Sequence, residues 1–150
     1  MYREQFVEVV DVVGGFSFQS SGNKASGKTK NPFAFFTCTN TLGNSLLFAE
    51  QITTATPVSE STSEFAVPPG LGGLAGESIH ALSLGNVYTF VSLLREAKDE
   101  GLAAIQVIGV GGVTSKAAVE RMRRAGAAVI GCATLFGRKG VLAFEILGKE

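Results

Sequence analysis

The chain has 150 residues, the length of one ordinary domain, and its 45% apolar content with 11 phenylalanines suffices to bury a core. Thirteen basic residues balance 13 acidic ones, which gives no basic face for a nucleic acid and no charge excess for another polyion. No apolar run reaches the roughly 20 residues that a bilayer span needs, and one histidine with two distant cysteines, Cys38 and Cys132, makes no metal-ligand spacing.

In chain order, Phe6, Val9, Val10 and Val13 recur at helical spacing and predict a first helix stopped by Gly14-Gly15. Ser17 to Asn31 is rich in Ser, Gly and Lys and reads as a surface loop. Phe33 to Cys38 is a short, aromatic-rich run expected to be a buried strand, with Thr39-Asn40-Thr41 at its C-terminal tip. Leu46-Leu47-Phe48 and Phe65-Ala66-Val67 then predict a small excursion hairpin, closed by Pro68-Pro69.

Ser83 is the expected N-cap of a second helix that turns Val87, Phe90, Val91 and Leu94 inward and ends before Gly101. Ile105 to Ile108 reads as a second buried strand, ending in Gly109-Val110-Gly111-Gly112. Thr114 or Ser115 caps a third helix with Ala118, Val119 and Met122 inward and Gly126 as its stop. Ala128 to Cys132 is a third buried strand, and a last helix follows Gly140. Strands apolar on both faces, alternating with helices, are the pattern of an α/β fold with a parallel sheet covered by helices. Cys38 and Cys132 are read as small buried residues within strands, and His80 as an ordinary surface or linker residue.

Two glycine motifs mislead. Gly22-Asn23-Lys24-Ala25-Ser26-Gly27-Lys28-Thr29 spells a Walker A loop, but that loop needs a strand before it and a helix after it. Here Lys30-Asn31-Pro32 leads into a strand, so a basic surface loop is the better account. Gly70-Leu71-Gly72-Gly73-Leu74-Ala75 spells a dinucleotide turn, yet Pro68-Pro69 precedes it and no acidic residue is well placed after it. It remains a place where backbone amides could approach an anion.

The informative constellation is distributed. Asn40 with its two threonines, Gly111-Gly112, and Ala133-Thr134 all fall at or just beyond the C-terminal ends of predicted parallel strands. In a (β/α) barrel that face holds the active site, and its last loops often bind a phosphate. Taken singly, each glycine could equally be closing a tight turn.

Taken together, Thr39-Asn40-Thr41-Leu42-Gly43-Asn44, the run from Gly70 to Gly76, Leu84-Gly85-Asn86-Val87, Ile108 to Val113, and Gly126-Ala127-Ala128 leading to Ala133-Thr134-Leu135 resemble dihydroorotate dehydrogenase. The likeness runs in order from about Phe33 to the C-terminus and is closer to the soluble, fumarate-linked class. It implies that residues 1–150 are one domain, the C-terminal part of a (β/α)8 TIM barrel that binds FMN, with the N-terminal half absent.

The resemblance implies that Asn40 and Thr41 meet the pyrimidine substrate, and that Thr39 lies against the flavin. It further implies that Gly76, Gly111 and Gly112 offer backbone contacts to FMN, and that Ala133 and Thr134 hold its phosphate. Ala133 departs from the soluble class, which usually has glycine there. The implied reaction oxidises dihydroorotate to orotate in de novo pyrimidine biosynthesis. A base removes one proton, a hydride passes to flavin N5, and fumarate reoxidises the flavin.

The family's base, a cysteine in the soluble class, lies upstream of any residue here, and Cys38 is not at its position. No residue of this chain is therefore assigned as catalytic, and no metal is implied. The chain is expected to be inactive alone, cytoplasmic, and either poorly folded or stable only with partner chains, a homodimer among them. Two further readings stay open: another FMN- or phosphate-binding barrel oxidoreductase, and a non-catalytic half-barrel that serves as an interaction module.

Overall fold

The computed structural model describes residues 3–19, 29–38, 41–52 and 64–148. Helix α1 (Arg3–Gly14) buries Phe6 and Val10, and Phe6 sets its ring edge-on to Phe90 at 4.8 Å. Val9, expected inward, is turned out on the far side of the stripe, 40% exposed. The chain reverses after Gly14 through short backbone bonds from Gly15, Phe16 and Ser17.

The segment read as one loop has paired ends. β1 (Phe18–Gln19) and β2 (Thr29–Lys30) form a two-residue antiparallel ladder. Asn31 pins this turn to the helix. Its Nδ2 donates to the Val13 carbonyl at 2.9 Å and to Ser17 Oγ at 3.0 Å, while its Oδ1 accepts from Phe33 N–H. Most of the Walker-like octapeptide lies outside the described residues; its last member, Thr29, opens a strand where a P-loop would open a helix.

The central sheet has three strands in the order β3-β6-β7, all parallel. They are β3 (Phe35–Cys38), β6 (Gln106–Val110) and β7 (Val129–Gly131), with Cys38 level with Gly109 and Gly109 level with Ile130. Only the middle strand is buried as expected, with Val107 and Gly109 inaccessible. β3 and β7 are the edges, and Phe35 and Val129 are 54% and 52% exposed. An edge strand has a neighbour on one side only, so a uniformly apolar sequence does not guarantee burial.

Between β3 and β6 the chain makes its excursion. β4 (Leu42–Leu46) pairs antiparallel with β5 (Leu71–Leu74), and a bridge from Phe48 to Phe65 extends the hairpin. The hairpin thus stands where the sequence places it but is longer, and a short helix α2 (Ala49–Ile52) follows its first arm. The run Gly70 to Ala75 is largely this second arm, so it is not a dinucleotide turn leading from a strand into a helix.

A 3-10 turn (Gly76–Ile79) feeds directly into α3 (His80–Glu96). The helix starts three residues before the expected cap, because the preceding turn delivers the backbone already coiled. Ser83 is therefore inside the helix and buried. Val87, Val91 and Leu94 face the sheet. Asp99 then caps α4 (Glu100–Ala103) by accepting from Gly101 and Leu102 N–H, so Gly101 lies within a helix of its own.

Ser115 caps α5 (Lys116–Ala125), its Oγ accepting from Ala118 N–H at 3.3 Å, and Gly126 ends the helix with φ of +104°. Ala118 and Met122 are fully buried on its inner face. After β7 come α6 (Thr134–Lys139), which the pattern does not announce, and α7 (Leu142–Gly148), which begins after Gly140 as expected. The core lies between β6 and the inner faces of α3 and α5, sealed at one end by α1 and α4.

Candidate functional site

Strands β3 and β6 run parallel, so their C-terminal ends emerge on one side of the sheet, where β7 also ends. There the turn after β6 bends sharply. Gly111 takes φ of +136° and Gly112 φ of +65°, both costly for a residue with a Cβ. A side chain at Gly111 would run into Ser83 Oγ on α3. One at Gly112 would lie 2.6 Å from His80 Cβ and 2.8 Å from the Gly76 carbonyl oxygen. Gly76, with φ of +80°, closes from the opposite side, and a Cβ there would touch Thr134 Cγ2 at 3.4 Å. Three glycines from two turns are thus packed against each other and against the first residue of α6.

They enclose a small cleft of about 60 Å³, bordered by Thr41, Gly76, Gly111, Gly112, Ala133 and Thr134 among others. All six are residues that the sequence singled out, drawn from four separate segments. Thr39 and Asn40 lie outside the described residues. Ala133 sits at the head of α6 with φ of −103°, a conformation open to any L-residue, so alanine in place of glycine brings no backbone strain there.

Size and lining decide what the cleft can do. Several times the space of one water fits a phosphate-sized anion and excludes a fused three-ring system, which would have to lie outside across the strand ends. Successive glycine amides around a concave turn form a cradle for an anion, and the Thr134 hydroxyl adds a further donor. None of the described lining residues has a side chain that titrates near neutrality. Cys38, at the end of β3, is no substitute. Burial pushes its thiol up to about 11, away from a reactive thiolate. Among the described residues no group of three or more potential metal ligands gathers, and no helix is long and apolar enough to cross a membrane.

The residue that sequence reasoning misplaces is His80. It is neither linker nor surface but 7% exposed, at the first position of α3. Its Nδ1 lies 2.9 Å from the Gly111 carbonyl oxygen, and Arg121 Nε donates to its Nε2 at 3.1 Å. A signal for it exists: carrying the stripe of Val87, Val91 and Leu94 back one and two turns reaches Ser83 and then His80.

Comparison with known proteins adds an independent line. A family model described as dihydroorotate dehydrogenase matches residues 24–150. The probable dihydroorotate dehydrogenase A (fumarate) of Streptococcus pneumoniae serotype 4 is 31% identical over 122 residues, 81% of this chain and 33% of that protein. The putative dihydroorotate dehydrogenase A (fumarate) of Streptococcus equi is 31% identical over 120 residues, 79% of this chain and 33% of its own length. The chain therefore spans about a third of the length of the curated relatives it matches. Among solved structures, that of DHODH from Eimeria tenella in complex with ferulenol aligns with 98% of this chain and 30% of its own, at a TM-score of 0.58 and 18% identity, a likeness of fold.

Proposed function

The chain belongs to the dihydroorotate dehydrogenase family, and from that premise we propose that its small cleft is the phosphate end of an FMN site in an enzyme that oxidises dihydroorotate to orotate. The observation that carries the reading is the convergence of Gly76, Gly111, Gly112 and Thr134 on one phosphate-sized space at the strand ends. In this reading the strands β3, β6 and β7 are the last part of a (β/α)8 barrel. Gly111 and Gly112 donate backbone N–H groups to the phosphate, Gly76 supplies Cβ-free backbone beside it, and Ala133 and Thr134 close the pocket. Thr39 lies against the flavin ring, and Asn40 and Thr41 orient the pyrimidine. The bound flavin would supply hydride acceptance; the protein's own part is to fix ring and substrate in register.

Asn40 and Thr41 can orient but cannot serve as the base, since neither an amide nor an alcohol titrates usefully. The 150 residues alone are thus expected to bind without turning over. The streptococcal relatives, named as fumarate-linked enzymes, support fumarate as electron acceptor, and with it a cytoplasmic enzyme of pyrimidine biosynthesis.

The test is flavin retention. The purified chain is incubated with excess FMN, freed of unbound cofactor and scanned for flavin absorbance. About one flavin per chain, displaced by no other nucleotide, is the expected result. A folded sample that holds none rules out a self-sufficient phosphate site. A second reading is favoured by the two sheet edges, β3 and β7, that have no further neighbour among the described residues: a non-catalytic module that associates through them, with a second copy of itself in the simplest case.

A further inference from the structure

His80 does not itself line the cleft but packs behind Gly111 and Gly112, which do, and both of its ring nitrogens are committed. Arg121 has only donors to offer, so Nε2 must accept from it; the Gly111 carbonyl can only accept, so Nδ1 must carry the proton. The two partners together select the neutral Nδ1–H tautomer. Neither a protonated ring nor the other tautomer satisfies both.

The Gly111 carbonyl belongs to the peptide that joins the two glycines, and none of the described peptides is cis. In a trans peptide the C=O and the following N–H point in opposite directions from one rigid plane. Holding the Gly111 oxygen against the imidazole therefore turns Gly112 N–H away from the imidazole, and Gly112 is itself a residue that borders the cleft. Glycine on both sides of this peptide leaves its plane unusually free to flip, so something outside the turn must fix it. The backbone and Cβ of His80 lie close over Gly112, which keeps the histidine beside this peptide.

We infer that His80 is a positioning residue for the cleft: its Nδ1–H, held in that tautomer by Arg121, locks the Gly111–Gly112 peptide so that Gly112 N–H faces the bound anion. The inference rests on the reading of the cleft as a phosphate site.

Two side chains of matched reach separate the roles of the ring nitrogens. In His80→Asn the amide nitrogen stands as many bonds from Cα as Nδ1 and can still donate to Gly111. In His80→Gln it stands where Nε2 does and cannot. FMN affinity, read by quenching of flavin fluorescence on the full chain, is expected to stay within about twofold of the parent for Asn and to fall about tenfold for Gln, the cost of one well-placed hydrogen bond. A second readout needs no flavin: the amide resonance of Gly112 in the free protein is expected to hold its position in Asn and to move in Gln. Equal behaviour of the two variants in the amide spectrum overturns the inference whatever the flavin does. A moved Gly112 amide in Gln, in a parent chain that binds no FMN, upholds the peptide lock and sinks the phosphate reading instead.

Discussion

At Gly112 conformation and space make the same demand. With φ at +65° and His80 Cβ and the Gly76 oxygen 2.6 and 2.8 Å from any added Cβ, alanine can neither adopt the backbone freely nor find room. Gly112→Ala is expected to cost about 2–4 kcal/mol, the sum of a left-handed penalty and an overpacking term, measured by urea denaturation. A neutral result would mean that the turn is softer than its packing. Cys38 makes the other residue-level prediction. Its thiol ionises near 9.0 in an ordinary setting and at about 11 when buried here. Between those values the unfolded chain has released a proton that the folded chain still holds, so stability falls as pH rises through that window. The drop should shrink in Cys38→Ala; an unchanged pH profile would place the thiol in contact with water. At this scale the glycines were legible in the sequence, because a missing Cβ is visible as a letter. His80 was not: a single histidine ahead of an expected serine cap looks like a linker, and only the true start of α3 turns it inward.

Among the elements, legibility followed how much each is determined locally. α5 was readable to its ends because Ser115 and Gly126 are chemical start and stop signals that the backbone uses as such. α3 was misread at its start because its beginning is set by a preceding 3-10 turn, with no side-chain cap to announce it. α6 was missed because six residues carry too little periodicity to stand out from a turn. The hairpin was placed correctly but too short. Its longer ladder brings Leu71 and Leu74 opposite Leu46 and Leu42, and glycines at 72 and 73 disguised that arm as a nucleotide-binding turn. The cleft is assembled from the parts that local signals describe well, a turn after β6 and the segment after β7, together with a 3-10 turn that they do not. Thr39 and Asn40, beyond the described end of β3, remain assigned by resemblance alone.

For the molecule as a whole, the three-stranded sheet matters more than any single element. A closed barrel of eight strands has no edges, whereas here β3 and β7 each lack a second neighbour among the described residues. The β7 side is also apolar. Val129 is 52% exposed, and Phe136 and Phe144 pack edge to face at 5.8 Å while remaining 45% and 65% exposed. Beside them, Ile130, Cys132 and Leu147 border a groove of about 590 Å³. An unpaired ladder next to an exposed aromatic pair favours strand pairing and apolar burial against another chain. Sedimentation velocity of the purified protein should therefore show species heavier than the 15.6 kDa chain, growing with concentration. Val129→Lys puts a charge on that edge strand at a position already half in water, so it should shift the distribution toward monomer while leaving the melting temperature within a few degrees. A parent chain that stays monomeric at high concentration would show that these edges are sealed in solution. A variant that associates as strongly as the parent would move the contact to the β3 side, where Phe16, Phe18, Phe33 and Phe35 are similarly bare.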